Sequence, residues 1–180
     1  MNCQCVKDLP VIKFSRENDR CVLPSKEEGD AGYDMYIDPK WFELNCNKDG
    51  LMLIGTNETM ILSTGIRSTI PNDYYAQIQE RGSTGIKAIK YGAGVVDASY
   101  RGIWNIVVTN CSQKVVILYN PMIKNNYEDG EFTIFYPISK AIAQMVLLPV
   151  PKVEIQEVTP EEILNNTTNR MEGKFGSTGK

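Results

Sequence analysis

Short runs of β-branched and aromatic residues, separated by Gly, Pro, Asn and Asp, recur along most of this chain and restrict what it can become. They are Val11 to Phe14, Thr59 to Leu62, Ile66 to Ile70, Tyr74 to Gln79, Trp104 to Val108, Val115 to Tyr119, Phe132 to Tyr136 and Ile142 to Leu148. Runs of this length are too short for helices, and their punctuation suits turns, so the pattern predicts an all-β sandwich, barrel or jelly roll. One helix start stands out. Thr159, Pro160 and Glu162 precede Ile163 and Leu164 in the order of a capping box, which predicts a short helix before the Asn/Thr-rich stretch 165–169. Tyr119 to Pro137 reads as a long hairpin or loop insertion rather than a second domain. The expected organisation is one β domain over 1–164, with insertions near 45–58 and 119–137, and a flexible arm over 165–180.

Composition excludes several chemistries. With 180 residues, 42% of them hydrophobic, the chain can bury a core without staples, and its five cysteines are odd in number and irregularly spaced. That usage fits reduced thiols in a cytosol. No histidine occurs, so a zinc site and every Ser-His arrangement are disfavoured, and proton transfer falls to carboxylates, Lys, Tyr or Cys. A net charge of -3 argues against a broad nucleic-acid face, leaving local Arg and Lys to meet any polyanion. MNCQCVKDLPV lacks the apolar run of a signal peptide and no stretch approaches membrane-spanning length, so a cytoplasmic protein is expected.

Four stretches carry unusual chemistry for a β protein. AGYDMYI sets Asp34 just inside a strand. QERGSTGIK places Arg81 beside Gly82, Ser83, Thr84 and Gly85, where successive N–H groups, hydroxyls and a guanidinium can cradle a phosphate; a plain surface turn accounts for it equally well. YGAGVVDASYRGIWNIVV reads as two apolar strands meeting at Asp97, Ala98 and Ser99, with Tyr100 at the bend and Gly94 and Gly102 on the arms. Asp is also common in turns for local reasons. The terminal RMEGKFGSTGK has no apolar face, and by composition alone is a frayed end.

Taken in order, AGYDMYI, ERGSTGIK, GAGVVDASYRG, KAIAQMVLLPV and RMEGKFGSTG resemble the five motifs of the trimeric dUTPases, spread from Ala31 to Gly179. The resemblance implies a distorted jelly-roll homotrimer with active sites shared between chains. It implies hydrolysis of dUTP to dUMP and pyrophosphate with Mg²⁺, which keeps uracil out of DNA and supplies dUMP for dTMP synthesis. Asp97 then matches the carboxylate that activates the attacking water, and Asp34 supports the site through water and magnesium-linked contacts. No direct metal ligand is expected, because Mg²⁺ prefers phosphate oxygens and keeps its waters. Gly94, Val95 and Val96 match the arm whose backbone pairs with the uracil edge, Gly94 being where close approach is easiest. Tyr100 matches the aromatic residue under the deoxyribose. Arg81, Gly82, Ser83, Thr84 and Gln144 match phosphate-binding positions. Phe175 matches the residue that stacks on uracil, and Arg170, Gly176, Ser177 and Thr178 belong to the tail that closes over the phosphates.

The chain departs from the family pattern in places. Gly82 stands between Arg81 and Ser83, where the second motif has Ser directly after its Arg, and Met171 and Lys174 replace tail glycines. The insertions near 45–58 and 119–137 are candidate surfaces for a regulatory partner. Two rival readings are a dCTP deaminase, which shares the fold but needs a glutamate after the hairpin where IWNIVVT has none, and a nucleotide-sensing binding protein.

Overall fold

The computed structural model describes residues 9–123 and 127–166. These fall into two units divided between Val150 and Pro151. In chain order the first unit contains β1 (Lys13–Arg16), β2 (Tyr33–Met35), α1 (Pro39–Asn45), β3 (Leu51–Ile54), β4 (Thr59–Ser63), β5 (Ile66–Thr69), β6 (Tyr74–Glu80), α2 (Gly82–Gly85), β7 (Ile89–Gly92), β8 (Val95–Val96), β9 (Asn105–Asn110), β10 (Val115–Tyr119), β11 (Thr133–Pro137) and β12 (Ala143–Pro149). The second contains α3 (Pro160–Asn165). All eight strands expected from the sequence are present to within two residues, and the mostly β architecture agrees with the expected fold class.

The strands form four small sheets, in the orders β1-β5, β11-β10-β3, β2-β12-β6-β8 and β4-β9-β7. Alternation explains how they close on one core. In β9 Ile106 and Val108 point inward between the more exposed Asn105 and Val107, and in β6 Ala76 and Ile78 do the same. Trp104, Phe42, Leu62, Ile66, Leu118 and Ile142 are fully buried at the centre. The buried amide of Asn110 is satisfied. Asn110 donates through Nδ2 to the carbonyls of Ile54, Gly55 and Lys114, at 2.9, 3.2 and 2.8 Å, and accepts from Ser112 through Oδ1.

Three features differ from the sequence reading. First, β10 and β11 pair in parallel, so 119–137 is a crossover and not a hairpin. Between them, Tyr127 stacks on Phe135 of β11 at 4.5 Å. Second, 45–58 contains a strand absent from the sequence reading, β3, which pairs with β10 and buries Met52 and Ile54. Third, a helix unforeseen from the sequence, α1, begins at Asp38 and Pro39. The Asp38 side chain accepts from Lys40 N at 2.9 Å and Phe42 anchors the helix in the core. The expected late helix is present as α3, capped reciprocally by Thr159 and Glu162.

Candidate active site

Antiparallel register places Asp34 on β2 directly across from Gln144 on β12, and side chains directly opposite share one face of the sheet. Arg81 follows the last residue of β6, the strand on the other side of β12, and reaches back over that face. Its Nε donates to Asp34 Oδ1 at 2.7 Å and its Nη2 to Asp34 Oδ2 at 3.0 Å, a two-pronged ion pair with each side chain 30% exposed. Nη1 donates to the Ala141 carbonyl at 3.2 Å and to Ser83 Oγ at 3.4 Å. Burial alone would lower the guanidinium pKa, but the Asp34 carboxylate outweighs it and holds the value above the ordinary one.

Gln144 is an amide in an apolar strand, and it is satisfied by donating to the Glu80 carbonyl at 2.6 Å. Gly32 makes room for it, because a Cβ there would lie 2.1 Å from Gln144 Oε1. Thr84 closes the turn on the Arg81 backbone. It is fully buried, its N–H donates to the Arg81 carbonyl, and its hydroxyl exchanges contacts with the Arg81 backbone. That one-turn helix leaves the N–H groups of Gly82 and Ser83, at its start, as the exposed donors.

These residues line a polar cleft of about 560 Å³ formed by Asp34, Arg81, Gly82, Ser83 and Gln144 together with Lys26 and Asp30. The sequence reading did not single out Lys26, whose ammonium bonds the Asp30 carbonyl and lies 5.0 Å from the centre of the Tyr33 ring. Nothing in its polar loop distinguishes it from other surface lysines. Tyr136 was also missed. Its hydroxyl donates at 2.6 Å to the same Ala141 carbonyl that receives Arg81, and burial pushes the phenol pKa up, so it stays a donor at neutral pH.

Asp97 and Tyr100 line a second cleft of about 280 Å³ with Ile61, Ala93, Val95, Val96, Trp104, Asn105 and Val107. The two arms of the bend do not form a hairpin with each other. Strand β8 pairs with β6 and β9 pairs with β4 and β7, so the bend carries the chain from one sheet to another. Among the described residues β8 is the last strand in its sheet, with one edge of its backbone carrying no strand neighbour. Asp97 is exposed, and its carbonyl accepts from Tyr100 N at 3.1 Å. The Tyr100 hydroxyl donates to the Ile103 carbonyl at 3.1 Å, folding the ring over Gly102, where a Cβ would lie 2.2 Å from that hydroxyl. Gly94 lies close against β6. A Cβ there would meet Gln77 Nε2 at 2.5 Å and the Ile78 carbonyl at 2.7 Å, so its missing side chain lets the chain approach β6.

Arg170, Phe175, Gly176, Ser177 and Thr178 lie outside the described residues. Among the described residues no group of three or more acidic, Cys or His side chains could hold a metal ion, and no helix is long and apolar enough to cross a membrane.

The dUTPase family model matches residues 19–120. A deoxyuridine 5'-triphosphate nucleotidohydrolase from Hydrogenobaculum is 36% identical over 134 residues, covering 73% of this chain and 78% of that one. Its counterpart from Debaryomyces hansenii is 34% identical over 171 residues, covering 94% and 88%. Among solved structures, a dUTPase mutant of Staphylococcus bacteriophage 80alpha with dUpNHpp superposes with a TM-score of 0.69 at 20% identity, over 94% of this chain and 99% of that one.

Proposed function

This chain belongs to the dUTPase family, and from that premise we propose that it hydrolyses dUTP to dUMP and pyrophosphate by attack of an Asp97-activated water on the α-phosphorus. The observation that carries this reading is the division of labour between the two clefts. One offers Arg81, Ser83, the N–H groups of Gly82 and Ser83, and Gln144, a set of donors suited to phosphate oxygens. The other offers an apolar wall, an aromatic ring and one exposed carboxylate, a set suited to a nucleoside and a water. A nucleoside triphosphate needs both sets at once, and here they line separate clefts, which supports a homotrimer in which a neighbouring copy completes each site.

In this reading the open edge of β8, at Val95 and Val96, pairs with uracil as another strand would. A buried donor left unpaired by the wrong base then sets the specificity. Tyr100 supports the sugar. Asp97 holds a water in line and takes its proton, the role of a general base in a chain that has no histidine. Asp34 keeps the Arg81 fork aimed, so that the guanidinium meets the triphosphate without first reorganising. The donor set fits magnesium arriving on the substrate, because a hard ion that keeps several waters needs no protein cage; held by phosphate oxygens with water-mediated reach to Asp34, it would neutralise oxygen charge. The tail 170–180 supplies the closing segment, with Phe175 over the base and Arg170, Gly176, Ser177 and Thr178 at the phosphates.

The test is pyrophosphate release from dUTP, dCTP, dTTP and UTP. A clear preference for dUTP, abolished on deletion of residues 170–180 with the melting temperature unchanged, is expected. Faster turnover of another nucleotide refutes the substrate assignment, deamination of dCTP favours the rival enzyme, and tight binding without turnover favours the sensing protein. Loss of fold on the truncation refutes the role given to the tail.

A further inference from the structure

A third pocket, of about 260 Å³, lies on the two-stranded sheet β1-β5 and belongs to neither cleft above. It is lined by Lys13, Ser15, Arg67, Thr69 and Arg101 around Phe14 and Ser68. Register explains the gathering: Lys13 faces Thr69 and Ser15 faces Arg67, so all four side chains stand on one face of the ribbon. Three cations and the hydroxyl side chains of Ser15 and Thr69 therefore gather at one small space, with no carboxylate among its lining residues.

The guanidinium of Arg67 is held in place from behind. Its Nε donates to Glu17 Oε1 at 2.6 Å and its Nη1 to the Arg101 carbonyl at 3.0 Å, while Nη2 has no partner among the described residues. Neither Lys13 nor Arg101 forms an ion pair among the described residues.

We propose that this pocket is a second phosphoanion site, taking a free orthophosphate or pyrophosphate group. The chemistry matches: a tetrahedral oxyanion presents several acceptors to a fixed guanidinium, an ammonium and hydroxyl donors. Net charge selects against an extended polyanion, which the rest of a chain at -3 would repel. The site also touches the Asp97 loop. Arg101 Nη1 donates to the carbonyls of Ala98 at 2.6 Å and Tyr100 at 3.0 Å, so an anion drawing on Arg101 reaches the bend through two hydrogen bonds. Phe14 meets Trp104, a wall of the Asp97 cleft, edge to face at 5.7 Å.

Calorimetric titration of orthophosphate and of pyrophosphate into the full chain tests this at constant ionic strength. To separate this pocket from the polar cleft, the same titrations are run on Lys13→Ala, Lys13→Arg and Arg81→Ala, each checked for an unchanged melting temperature. The expected result is binding of at least one anion that survives Arg81→Ala, weakens about tenfold in Lys13→Ala and recovers in Lys13→Arg. Affinity unchanged in Lys13→Ala, or binding lost entirely in Arg81→Ala, overturns the proposal. The readout is binding alone, so it stands or falls independently of the hydrolytic activity.

Discussion

The pair Asp34 and Arg81 offers the sharpest quantitative test. Replacing Asp34 by Asn keeps the shape of the side chain but removes the charge that aligns both prongs of the guanidinium. A hydrogen bond to a charged group contributes about 1.5–3 kcal/mol when shielded from water. Both side chains here are 30% exposed, so solvent screens part of that. A coupling of about 1–2 kcal/mol is left, equivalent to about 5- to 30-fold in kcat/KM if the alignment of Arg81 is what the substrate uses. The assay is a double-mutant cycle of Asp34→Asn, Arg81→Gln and the double variant, with kcat/KM for dUTP and thermal unfolding measured on all four proteins. Asp34→Asn should lose the smaller amount, Arg81→Gln more because it also removes the phosphate contact, and the double variant little more than Arg81→Gln alone. Additive losses with a coupling below about 0.3 kcal/mol would refute the reasoning. So would full recovery of Asp34→Asn at raised Mg²⁺, which would mean that the carboxylate acts on the ion and not on the guanidinium.

Asp97→Asn should lower kcat for dUTP by about 10²–10⁴ while leaving the melting temperature in place, since the side chain is exposed; steady-state kinetics beside a melting curve check both halves. Gly94→Ala should destabilise the chain by about 1–3 kcal/mol in chemical denaturation, because the new methyl must displace Gln77 or the Ile78 carbonyl. Asn110→Ala should cost about 2–3 kcal/mol in the same measurement by stripping the carbonyls of Ile54, Gly55 and Lys114 of their donor.

Part of the site was legible because its residues are neighbours in the chain. Arg81 and Ser83, or Asp97 and Tyr100, fall within single turns whose composition already points to their chemistry. Lys26 and Tyr136 carried no such signal, and only packing shows that they belong to the polar cleft or its support. Helix α1 is a different kind of miss. Asp38 before Pro39 repeats the cap and proline of Thr159 before Pro160 but has Trp41 where the capping box needs an acid, and the seven-residue helix buries only Phe42 and so shows no extended apolar stripe.

By itself the sequence determined the strands, since a period of two and local turn chemistry are written in consecutive residues, and it determined the family through five ordered motifs. Tertiary structure alone decided that β10 and β11 run parallel and that the arms around Asp97 join different sheets. It alone set Asp34 against Arg81 across 47 positions of chain. Local periodicity specifies which way a side chain faces. Which strand lies next to it depends on how the apolar faces of the whole chain are buried together, and no window of consecutive residues contains that information.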